Sequence, residues 1–480
     1  MLEDIIEERR EKLSRYKKEA DPYPARVKRT ATTREALAHF GAFSRMKKKV
    51  WLTGRVMSLR DQGGIVFLSL EDESGTIQAL LKKKETKEFQ LIQKTLDKGD
   101  FIEVTGILMK TKRGEKSLLA SHARIITKSL RPIPDSWFGL EDIETRLRKR
   151  YLDGIVHRET RELMRKKAMF WGTVREFLKK ESFLEVETPV LEPIPGGAEA
   201  EPFVTHHNAL DRDFYLRISL ELSLKKMLVA GLERVFEIGR IFRNEGIDRE
   251  HLQDYTQMEC YWAYADYKDM MRLTETMFKR VILRTCGTLS TSYEGKKVDW
   301  GKKWAVVDYY AAFKKYNAID LKTATIETLR ARARELGIPP DASLGAGRLI
   351  DLIYKKTVRP KLVNPSFLIN PPVVIEPLAK RVPEDAGRVE RFQIVAVGTE
   401  LGKGFSELND PVDQLDRFRE QMALRDAGDR EAQMLDEDFI EALEYGMPPA
   451  AGFGVSERFF AILMDRPIRE TVFFPLMREK

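Results

Sequence analysis

The amino-acid sequence predicts an α+β protein: a small five-stranded β-barrel near the amino terminus, then a larger antiparallel sheet with helices packed against it. Five short runs with the period-2 alternation of half-buried strands crowd into residues 50–127, and a helical pattern interrupts them after the third. Beyond residue 150, long amphipathic helices alternate with apolar strands, without the repeated strand-helix-strand units of a parallel sheet. The chain has 480 residues, enough for about three domains, and is 42% hydrophobic and 33% charged. That composition supports packed cores and excludes a mainly disordered chain.

Residues 1–20 set Leu2, Ile5, Ile6, Leu13 and Tyr16 among charged neighbours and stop at Asp21-Pro22-Tyr23-Pro24, which reads as a helix ended by prolines. Segment 1–48 is therefore taken as a helical extension. The strands follow at 50–58, 65–70, 76–81, 101–107 and 117–127, and KETKEFQLIQKTLDKGD between the third and fourth is a polar helix closed by Gly99. Three strands, a helix and two strands is the order of the OB barrel, assigned to residues 49–130. Arg55, Phe67 and Gln78 fall on its successive strands. OB barrels grip single strands with a basic groove and stacked aromatics, each stack worth about 1–3 kcal/mol. The three residues are candidate readers of an unpaired base; a place in the barrel core is the competing role for Phe67. A linker at 131–150 carries Pro132, Pro134 and Gly139.

In the large domain, 151–480, a helix over RELMRKKAMFWGTVREFLKKESF leads to the strand LEVETPVL, broken at Pro189. FYLRI, a helix around Glu221 to Val229, and strands 233–243 and 255–263 come next, the last two joined by the charged loop NEGIDREHLQD. Strands 391–400 and 470–474 bracket helices 410–427 and 455–464.

Charge is unevenly placed. Residues 1–130 hold 28 lysines and arginines against 18 aspartates and glutamates, and the remaining residues hold 55 against 57. A basic front on a near-neutral body fits either a polyanion-binding module or a solvated surface. The charged amino terminus and the lack of any apolar run of membrane-spanning length argue against a signal peptide or membrane anchor. The two cysteines, Cys260 and Cys286, form no C-x-x-C pair, so a reducing, cytoplasmic setting is expected. No H-E-x-x-H spacing suggests zinc chemistry. Neither a P-loop nor a well-placed G-x-G-x-x-G occurs, and GAGR at 345–348 follows no strand. Phosphate would then be held by side chains, for which the forked guanidinium is suited; Arg243 and Arg458 are the candidates.

Alternation along YTQMECYWA sends Tyr255, Gln257, Glu259 and Tyr261 to one face and Thr256, Met258, Cys260 and Trp262 to the other. The first face is either a pocket floor or solvent-exposed. Glu221, Glu400 and Glu407 are further carboxylates beside apolar segments, and carboxylates gathered in a cleft bind a cationic substrate or a divalent metal.

Several stretches, in order, resemble class II lysyl-tRNA synthetases over nearly the whole chain: FLEVETPVL with IPGGAEAEPFVTHHNAL, FRNEG with the strand through Glu259 and Tyr261, PLAK, ELGKGFSELND, and GFGVSER with RETVFFPLMR. The resemblance implies a class II antiparallel catalytic domain behind an anticodon-binding OB barrel, a cytoplasmic homodimer without a membrane segment, and ATP, Mg2+, lysine and tRNA(Lys) as substrates and partners. By the same resemblance Arg243 holds the α-phosphate, Glu245 and His251 lie near the adenine end, Tyr255 stacks on adenine, and Arg458 lies opposite or at the outer phosphates. Gly197, Glu221, Glu259, Tyr261, Phe405 and Glu407 surround the amino acid, with Glu407 and Tyr261 receiving its side-chain ammonium and Glu259 and Glu221 near its α-amine. Phe67 and Gln78 read the middle anticodon base, with Arg55 nearby.

Three positions depart from the family pattern. Lys403 replaces the usual asparagine of G-N-G-F-S-E and either reaches the substrate carboxylate, pairs with a glutamate or turns outward. Gln393 replaces a metal-binding glutamate, leaving more of that role to Glu400. GFGVSER is shorter than usual, with Glu457 in place of aspartate. The alternatives are an aspartyl- or asparaginyl-type synthetase, whose anionic substrate the glutamates would repel; a protein-lysylating relative, generally without a barrel; and a tRNA-binding paralogue without catalysis.

Overall fold

Period-2 burial closes the first five strands on themselves. In the computed structural model, which describes residues 2–134, 140–246, 251–339, 344–426 and 432–478, they run Lys49–Asp61, Ile65–Asp72, Gly75–Lys82, Phe101–Lys110 and Lys116–Thr127. They form a closed barrel in the order first, second, third, fifth, fourth. The third and fifth strands pair in parallel and the other pairs are antiparallel. Val50, Leu52, Val66, Leu68, Ile102 and Ile125 fill its interior. The helix Phe89–Thr95 adds Phe89 and Ile92 to the same cluster. The amino-terminal helix Leu2–Lys17 is anchored by Tyr16, whose hydroxyl accepts from Ile125 N at 2.9 Å. Two short helices, Thr33–Ala38 and Phe40–Arg45, have no separate signal in the sequence; the first is closed by a Thr32/Glu35 capping box. The expected linker holds the helix Ile143–Arg148, capped by Asp142, while Gly139 and the loop positions 247–250 lie outside the described residues.

The chain divides into two units, Met1–Val156 and His157–Lys480. The second is built on an eight-stranded sheet in the order Ala305–Asp308, Ser366–Ile369, Arg391–Ala396, Thr399–Ser406, Ala450–Ser456, Asp254–Ala263, Arg234–Phe242, Leu184–Glu185. The six inner strands are antiparallel, but both edges pair in parallel, so the sheet is mixed rather than wholly antiparallel. Helices Arg158–Lys180 and Tyr267–Cys286 cover one face through Phe170, Val174, Phe177, Phe278 and Val281. The rings of Phe392 and Phe453 stack at 5.9 Å in that core.

Three strand expectations are corrected. The apolar run 391–400 is a hairpin, because Val397 (φ 52°) and Gly398 (φ 76°) turn the chain back into Thr399–Ser406. LEVETPVL supplies only Leu184–Glu185 and Leu191–Glu192, split around Pro189. ETVFF forms no strand; the chain there is a 3-10 turn, Ile468–Thr471, that buries Ile468.

Candidate functional site

Register decides which alternating side chains meet. Glu259, Gly454, Lys403 and Gln393 are Cα partners in succession across four strands, and Tyr261, Gly452, Phe405 and Arg391 form the next row on the same face. The two glycines leave the middle of both rows bare, while Phe453 between them points into the core. A Cβ on Gly452 would stand 2.3 Å from Glu407 Oε1 and 2.4 Å from Tyr261 Cε1. The result is a trough floored by backbone, walled by Glu259 and Tyr261 on one side and by Lys403, Phe405 and Glu407 on the other. Glu259 and Tyr261 are each 3% exposed, so their face is not a solvated surface.

The helix Glu221–Val229 contributes Glu221 and, one turn on, Lys225. Lys225 Nζ donates to Glu221 Oε1 at 2.6 Å and pairs with Glu407 Oε2. All three side chains are buried. The acidic groups thus converge, and one amine of the protein itself stands among them. Apart from Lys225, neither carboxylate oxygen of Glu407 has a donor among the described residues. Glu259 is the opposite case: Ser219 Oγ (2.8 Å), Leu220 N (3.1 Å) and Gln257 Nε2 (2.6 Å) donate to its Oε1, and the Tyr261 hydroxyl donates to its Oε2 at 2.9 Å. With its proton committed to Glu259, the Tyr261 oxygen turns lone pairs to the trough, and burial with the neighbouring carboxylates keeps that phenol protonated. Burial pushes Glu221 up to about 7 against the pull of Lys225, and pushes Glu407 well above the usual carboxylate range. Gly197 takes a left-handed φ of 81° and packs so closely that a Cβ would lie 2.8 Å from Glu221 Cβ.

Arg243 follows the strand Arg234–Phe242, donates from Nε to Ile218 O at 3.2 Å, and holds its guanidinium 5.7 Å from the Tyr255 ring centre. Tyr255 itself is 8% exposed and belongs to an apolar cluster with Ile241 and Leu252, so most of its ring is already covered. Glu245 and His251 lie on either side of loop positions 247–250, and the Gln253 side chain donates to Glu245 O at 3.3 Å and Gly246 O at 3.0 Å. Arg458 opens the helix Arg458–Leu463 directly beyond the glycine strand.

A β-bulge shapes the remaining corner. Strict alternation would put Glu400 opposite Lys403, but the register slips between Ile394 and Val395, Leu401 turns into the core, and Glu400 joins the face of Gln393. Gln393 Nε2 donates to Glu400 Oε2, and its Oε1 accepts from the Tyr354 hydroxyl at 2.9 Å. Lys403 takes the second of its three expected courses: Nζ pairs with the buried Glu376 at 3.0 Å, which also meets Arg391 Nε at 3.2 Å. Among the described residues no group of three or more histidine, cysteine or acidic side chains is arranged to hold a metal ion. For a divalent ion Glu400 offers a carboxylate, while Gln393 offers a neutral oxygen that already accepts from Tyr354.

On the barrel, Arg55, Phe67 and Gln78 all lie half-buried on the outer surface. Phe67 is outside the core, with the Arg60 guanidinium 5.7 Å from its ring centre. Gln78 pairs with Ser69, two residues from Phe67, and its Oε1 accepts from Ser117 Oγ at 2.9 Å. Arg55 is level with Glu71, four residues along, or about 13 Å at strand rise, and covers Phe101 instead. Phe67 and Gln78 form one patch; Arg55 stands apart from it.

Lys225, Ser219, Glu376 and Arg391 are the site residues that sequence reasoning missed. The Glu221-to-Lys225 spacing of one helical turn is the legible signal for Lys225; Glu376 is joined to the site only by tertiary folding. A groove elsewhere, along Leu415, Glu437, Ile440 and Tyr445, contains none of these residues.

Together the barrel and the glycine-floored sheet define a class II aminoacyl-tRNA synthetase architecture: residues 142–478 match the family described as tRNA synthetases class II (D, K and N), and residues 50–126 match the OB-fold nucleic acid binding domain. The chain is 44% identical to the lysine-tRNA ligase of Roseiflexus castenholzii and 43% identical to that of Carboxydothermus hydrogenoformans, in both cases over 100% of this chain and 99% of the relative. The lysine-tRNA ligase of Bacillus cytotoxicus is 41% identical over 100% of this chain and 98% of its own length. The chain belongs to the lysine-tRNA ligase family of class II synthetases.

Proposed function

We propose that the protein activates lysine with ATP and passes the lysyl group to the terminal ribose hydroxyl of tRNA(Lys). The observation that carries this reading is the buried set Glu221, Glu259 and Glu407 facing a single internal amine, Lys225. Three buried acidic groups against one lysine suit a substrate with two ammonium groups and one carboxylate, whose amines would favour their ionised forms. Glu407 and the lone pairs of Tyr261 receive the side-chain ammonium, Glu221 faces the α-amine, Gly197 leaves room beside it, and Phe405 flanks the methylene chain. Glu259 holds Tyr261 in place and adds charge. Aspartate would be repelled here, and asparagine would leave a buried carboxylate unpaired, a penalty of about 1–3 kcal/mol or more.

In the first step the lysine carboxylate attacks the α-phosphorus of ATP and pyrophosphate leaves; in the second the ribose hydroxyl attacks the lysyl carbonyl and AMP leaves. Neither needs a nucleophile from the protein, so positioning and charge carry the catalysis. Arg243 and Arg458 serve the phosphates, and Glu245, His251 and the remaining open edge of Tyr255 serve the adenosine end. The barrel takes the anticodon through Phe67 and Gln78, with Arg55 on neighbouring backbone. A cytoplasmic homodimer is part of the same reading.

Pyrophosphate exchange into ATP is expected to depend on lysine and to stay at background with aspartate or asparagine. Stimulation by another amino acid removes the specificity claim, and none at all favours a tRNA-binding protein without catalysis. Phe67→Ala is expected to raise the KM for tRNA about tenfold or more, the loss of one base stack. Exchange, which uses no tRNA, should keep its rate in that variant; an unchanged tRNA KM would take Phe67 out of the interface.

A further inference from the structure

The corner around Glu400 is built for an anion rather than for a metal. Glu400 shares its face of the sheet with Gln393, Lys403 and Arg391, and the positive charges of Arg391, Lys403 and Arg458 act on it. The Gln393 amide turns its NH2 toward Glu400 and its carbonyl toward the Tyr354 hydroxyl. The neutral Gln393 oxygen beside Glu400 already accepts from the Tyr354 hydroxyl, and a neutral amide is a weaker ligand for a divalent ion than a carboxylate. Glu376, the other carboxylate here, is shared between Lys403 and Arg391. The nearby Glu199 and Asp351 have their own partners, Arg348 at 3.6 Å and Lys355 at 2.7 Å. Three guanidinium or ammonium groups thus stand against Glu376 and Glu400, and a divalent ion placed beside Glu400 would meet repulsion from all three.

We propose that Lys403 is a built-in cation for the nucleotide's phosphates, taking the charge that a metal held between residues 393 and 400 would otherwise neutralise. The proposal rests on the ATP-dependent reading above. Lys403 and Gln393 are direct cross-strand partners, so the amine lies beside the position where a second carboxylate would have stood. Its Glu376 partner keeps it charged and aimed while the phosphates are absent. On nucleotide binding, the ammonium keeps one hydrogen toward Glu376 and offers its others to phosphate oxygen. Its side chain is 39% exposed, so it is accessible to a ligand rather than sealed in the sheet.

The test counts Mn2+, used as a magnesium surrogate and read by electron spin resonance, on the full-length protein saturated with ATP. The double variant Gln393→Glu/Lys403→Asn is expected to hold one more Mn2+ per site than the parent. Lys403→Met alone is expected to weaken ATP binding at fixed Mn2+ about tenfold, the loss of one charge-assisted hydrogen bond, and to change lysine binding without nucleotide much less. Replacing this half-exposed side chain leaves Glu376 paired with Arg391, so the variant should fold. Equal Mn2+ counts in parent and double variant overturn the proposal. So does a Lys403→Met variant that loses lysine but keeps ATP, because Lys403 would then serve the amino acid's carboxylate. If the parent fails to bind ATP at all, the activation reading falls, and this proposal with it.

Discussion

Lys225→Met is expected to lower the melting temperature by about 5 °C or more at neutral pH, and to move the acid limb of the lysine KM profile to higher pH. Lys225 is fully buried between Glu221 and Glu407, which are themselves 5% and 1% exposed. Methionine nearly conserves the volume but strands two carboxylates, and breaking a buried pair from one side costs about 3–5 kcal/mol. The stranded groups respond by binding a proton. In the folded variant both carboxyls then titrate above their unfolded value, so stability is greatest at acid pH and falls as pH rises through the folded pKa. That is the sign to look for: the gap in melting temperature between variant and parent should narrow toward pH 5. For binding, protonation removes the charge that receives the substrate's amines. In the parent Glu221 already sits at about 7, and loss of Lys225, which pulls it down, moves it further up. Lysine binding should therefore recover on the alkaline side in the variant. A KM profile that keeps its parental shape would show that Lys225 does not set the charge state of the pocket.

How far the sequence discloses such a site depends on which periodicity carries each residue. The barrel is legible because its buried positions alternate without a break in the first two strands and over parts of the other three, and the face of Gln257, Glu259 and Tyr261 is legible for the same reason. What alternation cannot express is a bulge. Glu400 and Lys403 are three residues apart, an odd spacing that assigns them to opposite faces, and only the register slip at Ile394/Val395 brings them together. The hairpin at Val397-Gly398 is hidden for a related reason: a two-residue turn between two buried strands leaves the apolar run 391–400 unbroken. In GFGVSER the alternation of glycine and phenylalanine is a strand pattern with one face left empty, and it is easily taken for a loop before the helix at Arg458. Lys225 is the residue whose consequence was hardest to see. A lysine one turn after a glutamate ordinarily forms a surface pair worth a few tenths of a kcal/mol, and nothing local marks this one as buried against Glu407.

Gly452→Ala is expected to abolish lysine-dependent exchange while Gly454→Ala, two residues along the same strand, retains it. Both glycines face the trough from the central strand Ala450–Ser456, which is paired on both sides over its length. A methyl group at 452 would lie 2.3 Å from Glu407 Oε1 and 2.4 Å from Tyr261 Cε1, both inside van der Waals contact. Neither neighbour can yield cheaply: Tyr261 is held through Glu259, Glu407 is held by Lys225, and the strand is pinned by its own ladder. Overpacking of this kind costs about 1–3 kcal/mol, and here it is charged to the two groups that would receive the substrate's ammonium, so a loss of about 100-fold in lysine kcat/KM is the scale expected. At 454 the nearest atoms to the added methyl are Glu259 Cγ at 3.4 Å and Gln257 Nε2 at 3.9 Å, an ordinary contact. The pair of variants thus separates crowding at the ammonium subsite from a general intolerance of the strand. Thermal denaturation of both, alongside ATP binding measured without lysine, distinguishes a blocked pocket from a broken sheet: Gly452→Ala should still bind ATP. Equal loss in the two variants, or full lysine activation by Gly452→Ala, would mean that the substrate's amine lies elsewhere than between Tyr261 and Glu407.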